Sequence, residues 1–154
     1  MFKQFLLVLA LFVTPLAMAD KGPFVGEIST TRLLADYVKF NNEFTAFTPS
    51  NDELTKTQKL DGKDIVVLFG TWCHDSEREV PRLLKLIAQS EVALKSLTLV
   101  GVGYDKRDPQ GIAQQYNLKY TPTMIVLEDG KEIARMIEKP KVSLASDLSQ
   151  FNSL

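Results

Sequence analysis

The sequence predicts an α/β protein: a central mixed β-sheet with helices on both faces, preceded by a helical extension. Three observations predict it. Two continuous apolar runs rich in β-branched residues, 65–69 and 97–102, flank an amphipathic stretch at 75–89, the pattern of buried strands joined by a helix. After residue 60 the order reads strand, helix, strand, helix, strand, strand, helix. Helical crossovers imply parallel neighbours, whereas the Asp129-Gly130 turn implies an antiparallel pair.

Taken from the start, the chain opens with a processing signal. Lys3 supplies a positive start, residues 5–13 are unbrokenly apolar, Pro15 follows, and Ala17-Met18-Ala19 is a small-x-small cleavage pattern. The run is shorter than the roughly 20 residues a membrane span needs; a retained anchor is the alternative. No cysteine follows the cleavage site, which argues against a lipid anchor. The domain reading is therefore a signal peptide at 1–19, an N-terminal helical extension at 20–60 packed on the same domain, and the main domain at 61–154. Cleavage before Asp20 leaves 135 of the 154 residues (154 less 19), enough for one core. The expected location is exported and periplasmic.

Lys3 leaves with the signal, so the 18 basic residues become 17 against 19 acidic ones. That mixed balance argues against nucleic acid, and against a membrane surface after signal cleavage. Composition is ordinary, without repeats or low-complexity tracts. The one cysteine, Cys73, rules out an intrachain disulfide and a cysteine-cluster metal site. It is either a buried structural thiol or a group that reacts with a second molecule. No metal and no cofactor is expected.

In the extension, Leu33, Leu34, Tyr37, Val38 and Phe40 follow helical spacing over 30–41. Ser50 with Glu53 is a capping box opening a short helix to about residue 59. Asp61-Gly62 is a turn before the first strand, and residues 70–73 form another. Val80, Leu83, Leu84 and Ile87 share one face of the following helix. Pro109 is expected to open a short helix that Asn117 ends. Residues 124–127 and 132–137 form the hairpin around Asp129-Gly130, and a last helix runs over 142–151.

The chemistry centres on Trp72-Cys73-His74-Asp75-Ser76, where a buried strand gives way to a helix. A thiolate there faces unpaired N–H groups and the positive end of the helix dipole, which favour the anion. Asp75, Glu77 and Glu79 oppose it with negative charge, so the net sign stays open. Ser76 is a candidate hydrogen-bond donor to the sulfur, and equally an ordinary first-turn serine. His74, the only histidine, is either a positive neighbour or a solvent-facing loop residue. Trp72 is either a contact surface beside the sulfur or core packing. Arg78 and Glu79 read as ion pairs near the site, or as a solvated helix face.

Residues 62–153 resemble the thioredoxin superfamily. An apolar strand ends in Trp-Cys, Pro81 lies eight residues beyond the cysteine inside the helix, and Thr121-Pro122-Thr123 precedes the hairpin strand. The stretch Gly70-Thr71-Trp72-Cys73-x-Asp75-Ser76-x-Arg78-Glu79-Val80-Pro81-Arg82 is similar to bacterial exported thioredoxin-like proteins with a monothiol Cys-x-x-Ser motif. The resemblance implies a thioredoxin-like fold, a cis Pro122, and a Thr121 backbone that pairs with an extended substrate peptide. It implies Cys73 and Ser76 as catalytic residues and Trp72, His74, Thr121 and Pro122 as substrate-binding residues. The departures matter as much. Ser76 stands in place of a resolving thiol, and serine cannot resolve a mixed disulfide. The family's buried acid falls on Val67, and its lysine neighbour on Gly101.

Together these readings point to monothiol thiol–disulfide exchange through Cys73, isomerase- or glutaredoxin-like. The partners would be disulfide-containing proteins or low-molecular-weight thiols, and an intermolecular disulfide through Cys73 is open to the chain. The alternative is a non-enzymatic thioredoxin-fold module that binds peptides or proteins.

Overall fold

A computed structural model describes residues 22–151; the signal segment and its cleavage site lie outside the described residues. No helix among the described residues is long and apolar enough to cross a membrane.

Among the described residues five strands form one sheet: β1 (Gly26–Glu27), β2 (Asp64–Phe69), β3 (Ser96–Gly101), β4 (Thr123–Glu128) and β5 (Lys131–Ile137), in the order β1-β3-β2-β4-β5. β2 is central, parallel to β3 and antiparallel to β4, while β5 returns antiparallel on β4. Asp129 and Gly130 both take positive φ at the tip of that hairpin, as a two-residue turn matching the strand twist requires. β1 pairs with β3 through only two residues. It is too short to leave a period in the sequence, and the sequence reading passed over it as a lead-in.

The described residues form six α-helices, α1 (Thr30–Asp36), α2 (Val38–Ala46), α3 (Asn51–Thr57), α4 (His74–Ser90), α5 (Ile112–Gln115) and α6 (Leu144–Ser149), with a short 3-10 turn at Gln58–Leu60. Alternation along β2 divides the core. Ile65, Val67 and Phe69 face one way, where Leu33, Phe40, Val80, Leu83, Leu144 and Leu148 from the helices close over them. Val66 and Leu68 face the other way with Val100 and Ile125, covered chiefly by Ile112, Tyr116 and Leu118 on and after the single turn of α5. Helices thus lie on both faces, very unequally. Pro81 sits inside α4, which continues through it to Ser90; the apolar stripe beyond the proline holds the helix on the core.

Three helices differ from their predicted extents. The stretch 30–41 is not one helix, because Tyr37 leaves helical geometry (φ −121°, ψ 95°) between α1 and α2. Leu33 from α1 and Phe40 from α2 still enter the same core, as seven-residue spacing would have placed them on an unbroken helix. Pro109 does not open α5. The Asp108 carboxylate accepts from the amides of Gln110, Ile112 and Ala113, so Pro109 belongs to a capping turn and the helix starts at Ile112. The last helix is shorter than 142–151, since Asp147 accepts from the amides of Lys141 and Val142 and holds them in the preceding loop. Ser50 and Glu53 form the expected capping box on α3.

Candidate functional site

The site gathers where β2 and β3 end and β4 begins. From Phe69 the chain turns through residues 70–73, with the Cys73 N–H donating to the Gly70 carbonyl at 3.0 Å. Cys73 is the N-cap of α4 and is half-buried. Its sulfur makes no bond to the helix it starts. The thiol donates instead to the Thr121 carbonyl at 3.1 Å, in the loop whose Thr121–Pro122 bond is cis. Only the protonated sulfur makes that contact. The first turn of α4 presents three backbone donors of its own, the amides of His74, Asp75 and Ser76. No hydrogen bond to those three is formed among the described residues, which leaves the first turn's donors unsatisfied.

The sequence reading missed that the Thr121 carbonyl already accepts from the sulfur, so a substrate strand pairing there shares that oxygen with the thiol or displaces it. Thr121 and Pro122 are both buried.

Ser76 is fully buried, and its Oγ accepts from the Gly70 N–H at 3.2 Å. No hydrogen bond joins it to the sulfur among the described residues. At the third helical position its side chain turns under the loop rather than toward Cys73, and it fixes the loop's first residue. His74 is exposed, with Nδ1 3.9 Å from Glu77 Oε2. Trp72 folds back over Gly70, donates from Nε1 to the Val102 carbonyl at 3.0 Å, and meets Tyr104 with ring centroids 5.1 Å apart.

That fold-back requires a glycine beneath it. A Cβ on Gly70 would stand 2.6 Å from the Trp72 ring. Gly70→Ala is expected to displace the indole, shift its emission to the red and cost about 1–3 kcal/mol. Trp72 is the only tryptophan, so fluorescence reads the site alone. Unchanged emission would contradict this geometry.

The acidic residues around α4's first turns are each matched by a cation. Asp75 lies 3.3 Å from Arg78 and 3.6 Å from Lys139; Glu77 is 2.9 Å from Lys39; Glu79 is 2.6 Å from Arg78. Of the two sequence readings for Glu79, an ion pair or a solvated face, the structure gives the pair, with the residue only 2 % exposed rather than at the surface. Its spacing of three from Ser76 and four from Leu83 was the available signal. Arg78 is held protonated above its ordinary range, chiefly by its hydrogen bond to Glu79. Arg78→Met leaves that carboxylate buried without its partner. The expected loss is about 1–3 kcal/mol in urea unfolding, below the roughly 3–5 of a fully buried pair because Arg78 is partly exposed. Adding Glu79→Gln should recover most of it.

Beside Trp72 lies a groove of about 410 Å³, walled by Tyr37, Val38, Lys39, Glu77 and Tyr104. Val38 and Tyr104 are about two-thirds exposed. The break at Tyr37 builds one wall, so the N-terminal helices contribute directly to the site. Phe24 closes the other end of the loop: its N–H donates to Thr71 Oγ1 at 3.2 Å, and it packs where a side chain at residue 101 would stand. No group of three or more His, Cys, Asp and Glu side chains among the described residues converges to hold a metal ion.

No protein-family model and no curated protein matches the chain. Solved structures do. A protein of unknown function from Pseudomonas aeruginosa superposes with a TM-score of 0.50 at 15% identity, over 77% of this chain and 70% of that one. An HIV epitope-scaffold gives 0.50 at 14%, over 75% and 68%. Mitochondrial thioredoxin 3 from Saccharomyces cerevisiae gives 0.44 at 22%, over 71% and 99%. The chain has an α/β thioredoxin-like fold.

Proposed function

We propose that the protein is a monothiol thiol–disulfide exchange protein, exported to an oxidising compartment such as the periplasm. One observation carries this: a half-exposed cysteine at the start of α4, its sulfur 3.1 Å from the backbone of the proline loop. The Cys73 thiolate attacks one sulfur of a substrate disulfide. A bond forms between them, the substrate S–S bond breaks, and the other sulfur leaves as a thiolate that takes a proton from solvent. No second cysteine stands in the chain, so a thiol on the substrate or a low-molecular-weight thiol attacks the adduct and returns Cys73. Two electrons enter and leave with the partners, which suits isomerisation and deglutathionylation rather than net reduction.

The sulfur's bond to the Thr121 carbonyl, formed by the thiol and not the thiolate, favours a second reading: a peptide-binding module without turnover. Refolding of a scrambled multi-disulfide protein in a glutathione buffer separates the two. Exchange predicts faster recovery in proportion to protein added, with a mixed disulfide on Cys73 seen by mass spectrometry. Recovery no faster than with glutathione alone, with binding of the unfolded substrate retained, would select the module.

A further inference from the structure

Between the loop after β3 and the turn before β4 lies a second groove, of about 390 Å³, with Lys106 and Arg107 on one side, Asn117 and Lys119 on the other, and Ala113 and Leu118 between. None of its three cations forms an ion pair among the described residues, whereas Lys39, Arg78, Arg82 and Lys139 around α4 all do. Its one carboxylate, Asp105, accepts from the Arg107 amide in its own loop. The groove therefore carries net positive charge, three cations against one carboxylate that pairs with none of them. The backbone that carries Lys106 and Arg107 is tied into a tight loop: Lys106 N–H donates to the Gly103 carbonyl, and Gly103 N–H to that of Arg107.

Both walls belong to segments that build the sulfur site. Tyr104, next to Asp105, packs on Trp72. Lys119 is two residues from Thr121, whose carbonyl holds the sulfur, so the two Cα atoms lie at most about 7 Å apart. An extended polypeptide rises about 3.3 Å per residue. A chain attacked at its cysteine over Cys73 thus brings residues two to four positions away beside these cations. The exposed rings of Tyr104 and Tyr120 flank the same path.

We propose that this groove selects the substrate: an extended polypeptide carrying acidic side chains two to four residues from the cysteine that Cys73 attacks. The assignment rests on the exchange reading for its chemistry, and on charge complementarity for its specificity. Opposite potentials across the contact speed encounter and fix register, and they weaken as salt is added.

Two fluorescent peptide disulfides, identical except for Asp-Asp or Lys-Lys at those positions, test it on the purified protein with reduced glutathione as the resolving thiol. The acidic peptide should show a KM about tenfold lower at low salt with kcat unchanged, and the gap should close at high salt. K106E/R107E/K119E should reverse the preference; K119E alone should reduce it severalfold, with circular dichroism confirming that each variant is folded. Equal KM values for the two peptides would overturn the proposal. So would a triple variant altered only toward glutathione disulfide, which would mark a small-thiol site instead. Binding of the same peptides with serine for cysteine to Cys73→Ala, read by anisotropy, separates the two layers. An acidic preference there without turnover sinks exchange and supports the groove; turnover without preference does the opposite.

Discussion

Cys73→Ala is expected to abolish thiol–disulfide exchange while leaving the thermal midpoint within a few degrees of the parent. The chain holds no other thiol, so no residual nucleophile can substitute. The structural cost is small for identifiable reasons. The sulfur makes one weak hydrogen bond, to the Thr121 carbonyl, and no capping bond to α4. Losing it should cost roughly 0.5–1.5 kcal/mol. Turnover by the scrambled-disulfide assay and a melting curve on the same sample check both halves. Activity surviving in a folded variant would show that the reaction belongs to something else.

Phe40→Ala carries the largest expected effect on stability, about 3–5 kcal/mol. Phe40 is fully buried, with its ring 5.7 Å from that of Phe69 on the central strand and 6.1 Å from that of Tyr37. It pins α2 to the sheet at the point where β2 delivers the cysteine loop. Truncation leaves a ring-sized void at the joint between the N-terminal helices and the main sheet. Urea unfolding should remain one transition with a lower midpoint, because extension and sheet share a single core. A second transition, with the sheet retaining its original midpoint, would mean the helices are an independent appendage.

The sheet's central strands and the α4 crossover were legible because they carry strong periodic signals, in 65–69, 97–102 and the stripe through Val80, Leu83 and Leu84. What escaped was set by contacts between distant segments. β1 is a strand only because Gly26 and Glu27 find the edge of β3. The break at Tyr37 left no trace in the apolar spacing, because Leu33 and Phe40, seven residues apart, share a face whether or not the helix is interrupted. At the site, the position of Cys73 at a helix start could be read from the strand-to-helix change. The direction of its sulfur could not, since the acceptor lies 48 residues away. Ser76 read either as a donor to the sulfur or as an ordinary first-turn serine, and burial under Gly70 decided its bonding. The Arg78–Glu79 ion pair was one of the two readings the sequence offered, but as a surface pair; that the Glu79 carboxylate lies buried was not legible there.

The central claim is that the Cys73 sulfur meets solvent in the folded protein. Alkylation of the native protein across a pH series, with and without low denaturant, tests it most directly. The account predicts that Cys73 reacts from the folded state, at a rate that rises as its proton is lost and does not change with sub-transition denaturant. Reaction only at the rate of global unfolding, at every pH, would contradict it.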